Sequence, residues 1–230
     1  MRAHWKPDLI IQEDYQITGE SLHHLAQVVR IKIGEDLLLL NGKGICVLTS
    51  VVSITKKEMR LKFKNSIEAI RKYDMSLVLG MPKKEALELS LKQAVELGMH
   101  KIFLIKSDYS QMRVPDEERL NNLLVSALEQ SNAPYLPEVI FIDWINLAWE
   151  QYEEVLLLDS QSGDQSLSNC KKITGPTLLA VGPEGGFSPK ELEFLRNLKN
   201  VSSLTLPTPI MRTPTALAVG AGILLQRLLD

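Results

Sequence analysis

The chain has 230 residues, 45% of them hydrophobic, and its 26 lysines and arginines nearly balance 28 aspartates and glutamates, giving a net charge of −2. This composition excludes a disordered chain and gives no general excess of positive charge, so any contact with nucleic acid must come from local patches. The two cysteines are far apart, and no cluster of cysteine and histidine has the spacing of a zinc site. With no signal-peptide pattern and no apolar run of membrane-spanning length, we expect a reduced, cytoplasmic protein without a metal.

The first 70 residues predict a small β-barrel. Residues 36–64 contain three short alternating strands, with a turn at Asn41–Gly44 and another at Lys56–Lys57. Residues 19–35 before them read as a helix that leads into a further strand. Short strands joined by tight turns are typical of a barrel.

Residues 71–230 predict one α/β domain, with the boundary in the polar stretch 69–75. Apolar strands such as MSLVLGM, KIFLI and TLLAV alternate with helices, the first of which runs from Lys83 to Leu97 and ends at Gly98. This alternation indicates a parallel sheet with both faces covered.

A glycine-rich loop at residues 181–192 joins a buried strand to a helix. Ser188 is the expected N-cap, Pro189 suits the first helical position, and Glu191 completes a capping box. Glycines in the loop have no Cβ, which allows positive φ and lets a ligand lie close to the backbone. These glycines are Gly182, Gly185 and Gly186.

A second loop of the same kind, LPTPIMRTPTA, covers residues 206–216. It also leaves a strand and enters a helix, with Thr213 as the expected N-cap and Pro214 at the first helical position. Two such loops would lie side by side at the carboxyl ends of a parallel sheet, where open α/β folds bind their ligands.

The two loops together resemble the signature of the RsmE family of 16S rRNA uridine-N3 methyltransferases, which belong to the SPOUT superfamily. The helix MPKKEALELSLKQAVELG and the pattern that runs from His23 to Gly34 also resemble that family. The resemblance implies a SPOUT-type α/β domain with a parallel sheet and a trefoil knot at residues 71–230. It also implies a PUA-like, RNA-binding β-barrel at residues 1–70.

The resemblance further implies S-adenosylmethionine as the cofactor, 16S rRNA in the 30S subunit as the substrate, and a homodimer that uses the apolar last helix. The cofactor-binding residues that it predicts are Leu158, Gly182, Pro183, Glu184, Gly185, Gly186, Leu206, Ile210, Met211, Thr215 and Ala216.

Methyl transfer to N3 of uridine requires removal of a weakly acidic proton and stabilisation of the developing negative charge. Arg212, beside a helix N-terminus and the cofactor loop, is the predicted cation, and Glu129 is the second residue predicted to be catalytic. The identity of the base stays open, because Glu184 and Glu129 could each have a structural role instead.

Contact with RNA is predicted at five cations, four of which lie in the barrel or at the junction of a strand and a helix. They are Arg2, Arg30, Lys32, Lys83 and Arg113.

The chain departs from the family pattern at several positions. Ala133 and Pro209 replace arginines, Pro214 replaces a glutamate, and Tyr109 stands where the family's S-E-R-S motif has its arginine. Two alternatives therefore stay open: a SPOUT methyltransferase with another RNA target, and a non-catalytic protein that binds RNA or the ribosome.

Overall fold

The computed structural model describes residues 1–111, 116–159 and 172–229, which form two compact units. The first unit contains residues 1–71 together with 125–136. The second contains the described residues of 72–124 and 137–230. Residues 125–136 therefore fold with the first unit, although the sequence analysis placed them in the second domain.

The first unit is built on a five-stranded sheet in the order β1-β3-β4-β5-β2. β1 pairs with β3 in parallel, and the other pairs are antiparallel. Both predicted turns join antiparallel neighbours, as expected for short hairpins. The strands are β1 (Arg2–Trp5), β2 (Asp14–Ile17), β3 (Asp36–Leu40), β4 (Ile45–Ile54) and β5 (Met59–Glu68).

The predicted helix of the first unit is short. α1 (Gly19–His23) continues into a π-helical turn at His24–Val28, and the expected strand after it does not form. Arg30 turns the chain with a positive φ of 56°, and the Ile31 N–H donates to the Leu25 carbonyl. This turn brings Ile31 into the core, where it is only 4% exposed.

Residues 132–136 pack on the turn between β3 and β4. The Gly44 N–H donates to the Pro134 carbonyl at 3.0 Å, and the Leu136 N–H donates to the Gly42 carbonyl at 2.9 Å. The Tyr135 hydroxyl donates to the Ala69 carbonyl. These bonds explain why a segment distant in sequence belongs to the first unit.

The second unit is an α/β domain around a six-stranded sheet in the order β11-β9-β10-β6-β7-β8, and all of its pairs are parallel. The predicted fold class is confirmed, while the trefoil knot stays a prediction. The elements are β6 (Met75–Gly80), α2 (Lys84–Glu96), β7 (Lys101–Ile105), α3 (Glu117–Ser131, which enters the first unit at residue 125), β8 (Glu138–Phe141), β9 (Glu154–Leu158), β10 (Thr177–Val181), α4 (Pro189–Asn197), β11 (Val201–Leu204) and α5 (Thr213–Leu229).

The sheet of the second unit is covered on both faces. Every residue of β6 and β10 is buried, which is the pattern of central parallel strands. α5 packs on β9, β10 and α2, and it approaches so closely that a Cβ at Gly220 would lie 2.7 Å from Leu179 Cδ1. Since all strands are parallel, their carboxyl ends meet at one edge, where both predicted loops lie.

Arg30 offers a test of backbone strain in the first unit. A non-glycine residue at positive φ costs roughly 1–2 kcal/mol. We therefore expect Arg30→Gly to raise the free energy of unfolding by about 1 kcal/mol in urea denaturation. Asn132→Gly is the control, because Asn132 also has a positive φ of 57° but asparagine tolerates this conformation well. A lower stability of Arg30→Gly would contradict the strain argument.

Candidate functional site

A cavity of about 300 Å³ lies at the carboxyl edge of the sheet in the second unit. Its walls come from the end of β9, the loop after β10, the loop after β11 and the first turn of α5. The lining residues are Leu158, Asp159, Val181, Gly182, Pro183, Glu184, Gly185, Gly186, Phe187, Leu192, Leu204, Leu206, Thr208, Pro209, Ile210, Met211, Thr213 and Ala216.

The structure brings the predicted cofactor-binding residues together around this cavity, with one exception. Thr215 is exposed and does not line it. The helix begins at Thr213, one residue earlier than the sequence predicted, and Thr213 lines the cavity instead.

The helix start after the first loop is formed as predicted. The Ser188 hydroxyl accepts from the Glu191 N–H at 3.4 Å, and Glu191 Oε2 accepts from the Ser188 N–H at 2.7 Å. With Pro189 in the first turn, this is a complete capping box. The box fixes the point at which the glycine-rich loop ends.

The three loop glycines have different physical roles. A Cβ at Gly182 would lie 2.8 Å from the Gly186 carbonyl carbon, so the loop folds back on itself there. A Cβ at Gly185 would lie 3.0 Å from Tyr109 Cβ. Only Gly186 has a positive φ, of 70°. Two of the glycines are therefore required by contacts within the protein rather than by backbone conformation.

A hydrogen bond joins the two predicted loops. The Thr213 hydroxyl donates to the Gly182 carbonyl at 3.1 Å, and Thr213 is only 3% exposed. The expected N-cap residue thus uses its side chain to connect the first turn of α5 with the end of β10.

Glu184 connects the glycine-rich loop to the start of α2. Its two carboxylate oxygens accept from the Lys83 N–H at 3.1 and 3.3 Å. Lys83 is the N-cap of α2 and has no side-chain capping bond of its own. Glu184 therefore satisfies a backbone donor at a helix N-terminus, which favours the structural alternative for this carboxylate.

The loop after β7 is tied to the same region. Glu191 Oε1 accepts from the Asp108 N–H at 2.9 Å, in addition to its role in the capping box. Ser107, which is buried, places its hydroxyl 3.0 Å from the Ser110 hydroxyl. The ends of β6, β7 and β10 are thus connected by hydrogen bonds rather than by apolar packing alone.

Asp159 is a charged residue of the cavity wall that the sequence analysis missed. Its side chain is 4% exposed and accepts a hydrogen bond from Arg196 Nη2 at 2.5 Å. A buried carboxylate needs such a partner. The signal was available, because Asp159 directly follows an apolar strand at the ligand-binding edge of the sheet.

Arg212 is exposed and is not part of the cavity wall. It lies between two lining residues, Met211 and Thr213, and its carbonyl accepts from the Ala216 N–H in the first turn of α5. Among the described residues its guanidinium has no hydrogen-bond or ion-pair partner. It is therefore a cation at the cavity that can contact a ligand, and its catalytic role stays a prediction.

Glu129 belongs to the first unit and does not line the cavity. Its Oε1 accepts from the Trp5 N–H at 2.8 Å and lies 3.1 Å from His4 Nδ1. Burial raises the pKa of Glu129, but these two hydrogen bonds and the charges of His4 and His24 outweigh it and lower the pKa. A lowered pKa makes Glu129 a weaker base. The pKa therefore does not support the catalytic role of Glu129, which stays a prediction.

The predicted RNA-binding cations differ in their surroundings. Arg2 pairs with Glu35, whose carboxylate also accepts from the Lys32 N–H at 2.8 Å. The side chains of Arg30, Lys32 and Lys83 are exposed and have no ion-pair partner in the part of the chain that the structure describes. Arg113 lies outside the described residues.

Other cations of the first unit are paired with acidic side chains on other strands of the sheet or on the adjoining turn. This pairing weakens any general basic surface and leaves the exposed, unpaired cations as the better candidates for RNA contact. The pairs are Arg60 with Glu58, Lys62 with Asp14, and Lys64 with Asp36.

Within residues 1–111, 116–159 and 172–229, histidine, cysteine and acidic side chains form no group of three that could hold a metal ion. No helix in these ranges is long and apolar enough to cross a membrane.

Comparison with known proteins identifies both domains. The RNA methyltransferase domain family matches residues 70–225, and the RNA methyltransferase PUA domain family matches residues 17–64. The chain is 30% identical over 210 residues to the ribosomal RNA small subunit methyltransferase E of Rickettsia conorii, covering 85% of this chain and 82% of that protein. It is 25% identical to the Bacillus subtilis protein of the same name, over 88% of this chain and 86% of that one.

Solved structures show the same fold. The ribosomal RNA small subunit methyltransferase E of Neisseria gonorrhoeae, solved with bound S-adenosyl methionine, superposes with a TM-score of 0.85 over 98% of this chain and 97% of that one, at 20% identity. The family match covers more than half of the chain, and the Rickettsia relative covers most of it. The chain therefore belongs to the ribosomal RNA small subunit methyltransferase E family.

Proposed function

We propose that the protein transfers the methyl group of S-adenosylmethionine to N3 of a uridine in the 16S rRNA of the small ribosomal subunit. The observation that carries this proposal is the cavity between the loops after β10 and β11, which ten of the eleven predicted cofactor-binding residues line. This activity would place the protein in the cytoplasm with its substrate.

The cavity suits this cofactor in size and chemistry. Its volume of about 300 Å³ is at the lower end of the range for small-molecule sites. Apolar side chains at the strand ends can enclose an adenosyl group, and the backbone of residues 182–186 can contact its polar atoms. S-adenosylmethionine would supply an activated methyl group whose transfer is an in-line displacement, so the protein contributes positioning and charge stabilisation.

Arg212 is the residue that we propose to act on the uracil ring. When the N3 proton leaves, negative charge spreads to the oxygens at C2 and C4, and an exposed guanidinium can donate to one of them. Its position between two lining residues supports this role. For the base, Glu184 and Glu129 stay the candidates, although each accepts hydrogen bonds from backbone N–H groups.

RNA binding by the first unit would use its exposed cations. Arg30 supports this proposal most strongly, because glycine or asparagine would fit its positive φ better than arginine does. The strained backbone at Arg30 is explained if its exposed side chain is needed to contact a phosphate group. The Arg30→Gly variant should then bind small subunits less tightly while being more stable.

A homodimer through α5 is part of the proposal. On one side of α5 the residues are exposed or only half-buried, although most of them are apolar or small. A second copy would cover this stripe. The stripe consists of Thr215, Val219, Gly222, Ile223 and Gln226.

We expect the purified protein to methylate small ribosomal subunits from cells that lack this modification, with 3-methyluridine as the product in nucleoside mass spectrometry. Another methylated base would favour the alternative of a different RNA target. Cofactor binding without any methylated RNA would contradict the enzymatic proposal and favour a binding protein.

The different surroundings of the loop glycines predict that their alanine variants differ in affinity for S-adenosylmethionine. Gly182→Ala should weaken S-adenosylmethionine binding by about 10- to 100-fold in calorimetric titration, because the methyl group meets backbone that cannot move aside. Gly186→Ala should have a smaller effect, since nothing lies within 4 Å of its Cβ and only φ is strained. Equal affinities of wild type and Gly182→Ala would show that the cofactor does not use this loop.

Removal of the Arg212 guanidinium should affect turnover and not cofactor affinity. We expect Arg212→Ala to lower kcat by roughly 10²- to 10³-fold, as for loss of a single oxyanion donor. Arg212→Lys keeps the charge and should retain part of the activity. An unchanged kcat in Arg212→Ala would refute the role that we give to Arg212.

Light scattering at micromolar concentration should give twice the 25.8 kDa mass of one chain. Ile223→Glu places a charge in the half-buried stripe and should shift the equilibrium towards monomers. A wild-type monomer would overturn the dimer proposal.

A further inference from the structure

The loop after β7 holds Tyr109 in a fixed position. The Ser107 N–H donates to the Ser110 hydroxyl at 3.0 Å, and the Ser110 N–H donates back to the Ser107 carbonyl at 3.0 Å. Between them, the Asp108 N–H donates to Glu191 Oε1. Hydrogen bonds therefore anchor the backbone on the N-terminal side of Tyr109 and immediately after it.

The Tyr109 side chain lies directly on the cavity loop. A Cβ at Gly185 would meet Tyr109 Cβ at 3.0 Å and its Cγ and Cδ2 at 3.3 Å. Gly185 lines the cavity, and Tyr109 does not. The aromatic ring therefore lies next to a residue of the cavity wall without lining the cavity itself.

The ring is also available to a ligand. Tyr109 is 46% exposed, so its side chain is partly open to solvent. Its hydroxyl makes no hydrogen bond to any residue of the described ranges. Neither burial nor a polar contact thus accounts for an aromatic side chain here.

We propose that Tyr109 is a substrate-binding residue that stacks on the target base. This inference rests on the proposed function, because N3 lies on the edge of a pyrimidine and can be reached only after the base has left its stack. A base that points its N3 edge into the cavity has its flat faces beside the cavity wall. An aromatic ring anchored at that wall can cover one face and fix the plane of the base for in-line transfer.

The competing interpretation is that Tyr109 only covers Gly185 and so shapes the cofactor cavity. Leucine can fill much of the space beside Gly185 but cannot stack on a base, while phenylalanine keeps the ring and loses only the hydroxyl. Comparing Tyr109→Phe with Tyr109→Leu therefore separates stacking from packing, and thermal unfolding checks that each variant is folded.

The experiment measures kcat/KM for methylation of unmodified small ribosomal subunits and, by calorimetry, the affinity for S-adenosylmethionine. We expect Tyr109→Phe to behave like wild type. Tyr109→Leu should lose about 5- to 150-fold in kcat/KM, the range expected for loss of one base–aromatic stack, with cofactor affinity unchanged. Equal kcat/KM for the leucine and phenylalanine variants would overturn the proposal, as would a parallel loss of cofactor affinity in Tyr109→Leu.

Binding of the same variants to small subunits, with S-adenosylhomocysteine present, keeps the test independent of turnover. If wild type methylates nothing, the proposed function fails, and binding alone then decides the role of Tyr109. Weaker binding by Tyr109→Leu than by Tyr109→Phe would support stacking on an exposed base, whereas equal binding would refute it.

Discussion

The candidate site depends on the hydrogen bond from the Thr213 hydroxyl to the Gly182 carbonyl, 3.1 Å long and buried. It joins the last strand-to-helix loop to the glycine-rich loop, and the cavity lies between them. Gly182 has no room for a side chain, because the loop folds back on Gly186. The bond therefore fixes a loop whose shape is already set by close backbone contact, so that both walls of the cavity are in place before a ligand arrives.

The acidic residues around the cavity support this arrangement. Glu184 accepts from the Lys83 N–H, Glu191 accepts from both Ser188 and Asp108, and Asp159 pairs with Arg196. Apart from the bond to Ser188, these bonds join the loop or helix that follows one strand to the loop or helix that follows another. Exposed Arg212 has no such partner among the described residues. The Arg212 guanidinium therefore stays available to a negatively charged ligand.

The elements that depend on neighbouring residues could be predicted from the sequence. Capping at Ser188, the turn at Asn41–Gly44 and the alternation of strands and helices follow from neighbouring residues. Contacts between residues distant in sequence could not be predicted in this way. They include the hydrogen bond from Thr213 to Gly182 and the bond from the backbone of β1 to Glu129. The position of Asp159 in the cavity wall was also not predicted. Only the resemblance to a family predicted which cofactor the two loops bind, because the periodicity and spacing of residues do not identify a ligand.

If the Thr213–Gly182 hydrogen bond holds the two loops together, Thr213→Val should bind S-adenosylmethionine less tightly than wild type in a calorimetric titration. Valine keeps the shape and removes the hydroxyl, so the Gly182 carbonyl loses a buried partner at a cost of about 1–3 kcal/mol. Without this bond the ligand must itself order the two loops, and that cost is taken from the binding free energy. We predict an affinity about 5- to 150-fold weaker than that of wild type, with Thr213→Ser close to wild type because it keeps the donor. An affinity of Thr213→Val equal to that of wild type would show that this hydrogen bond does not hold the loops in place for the cofactor.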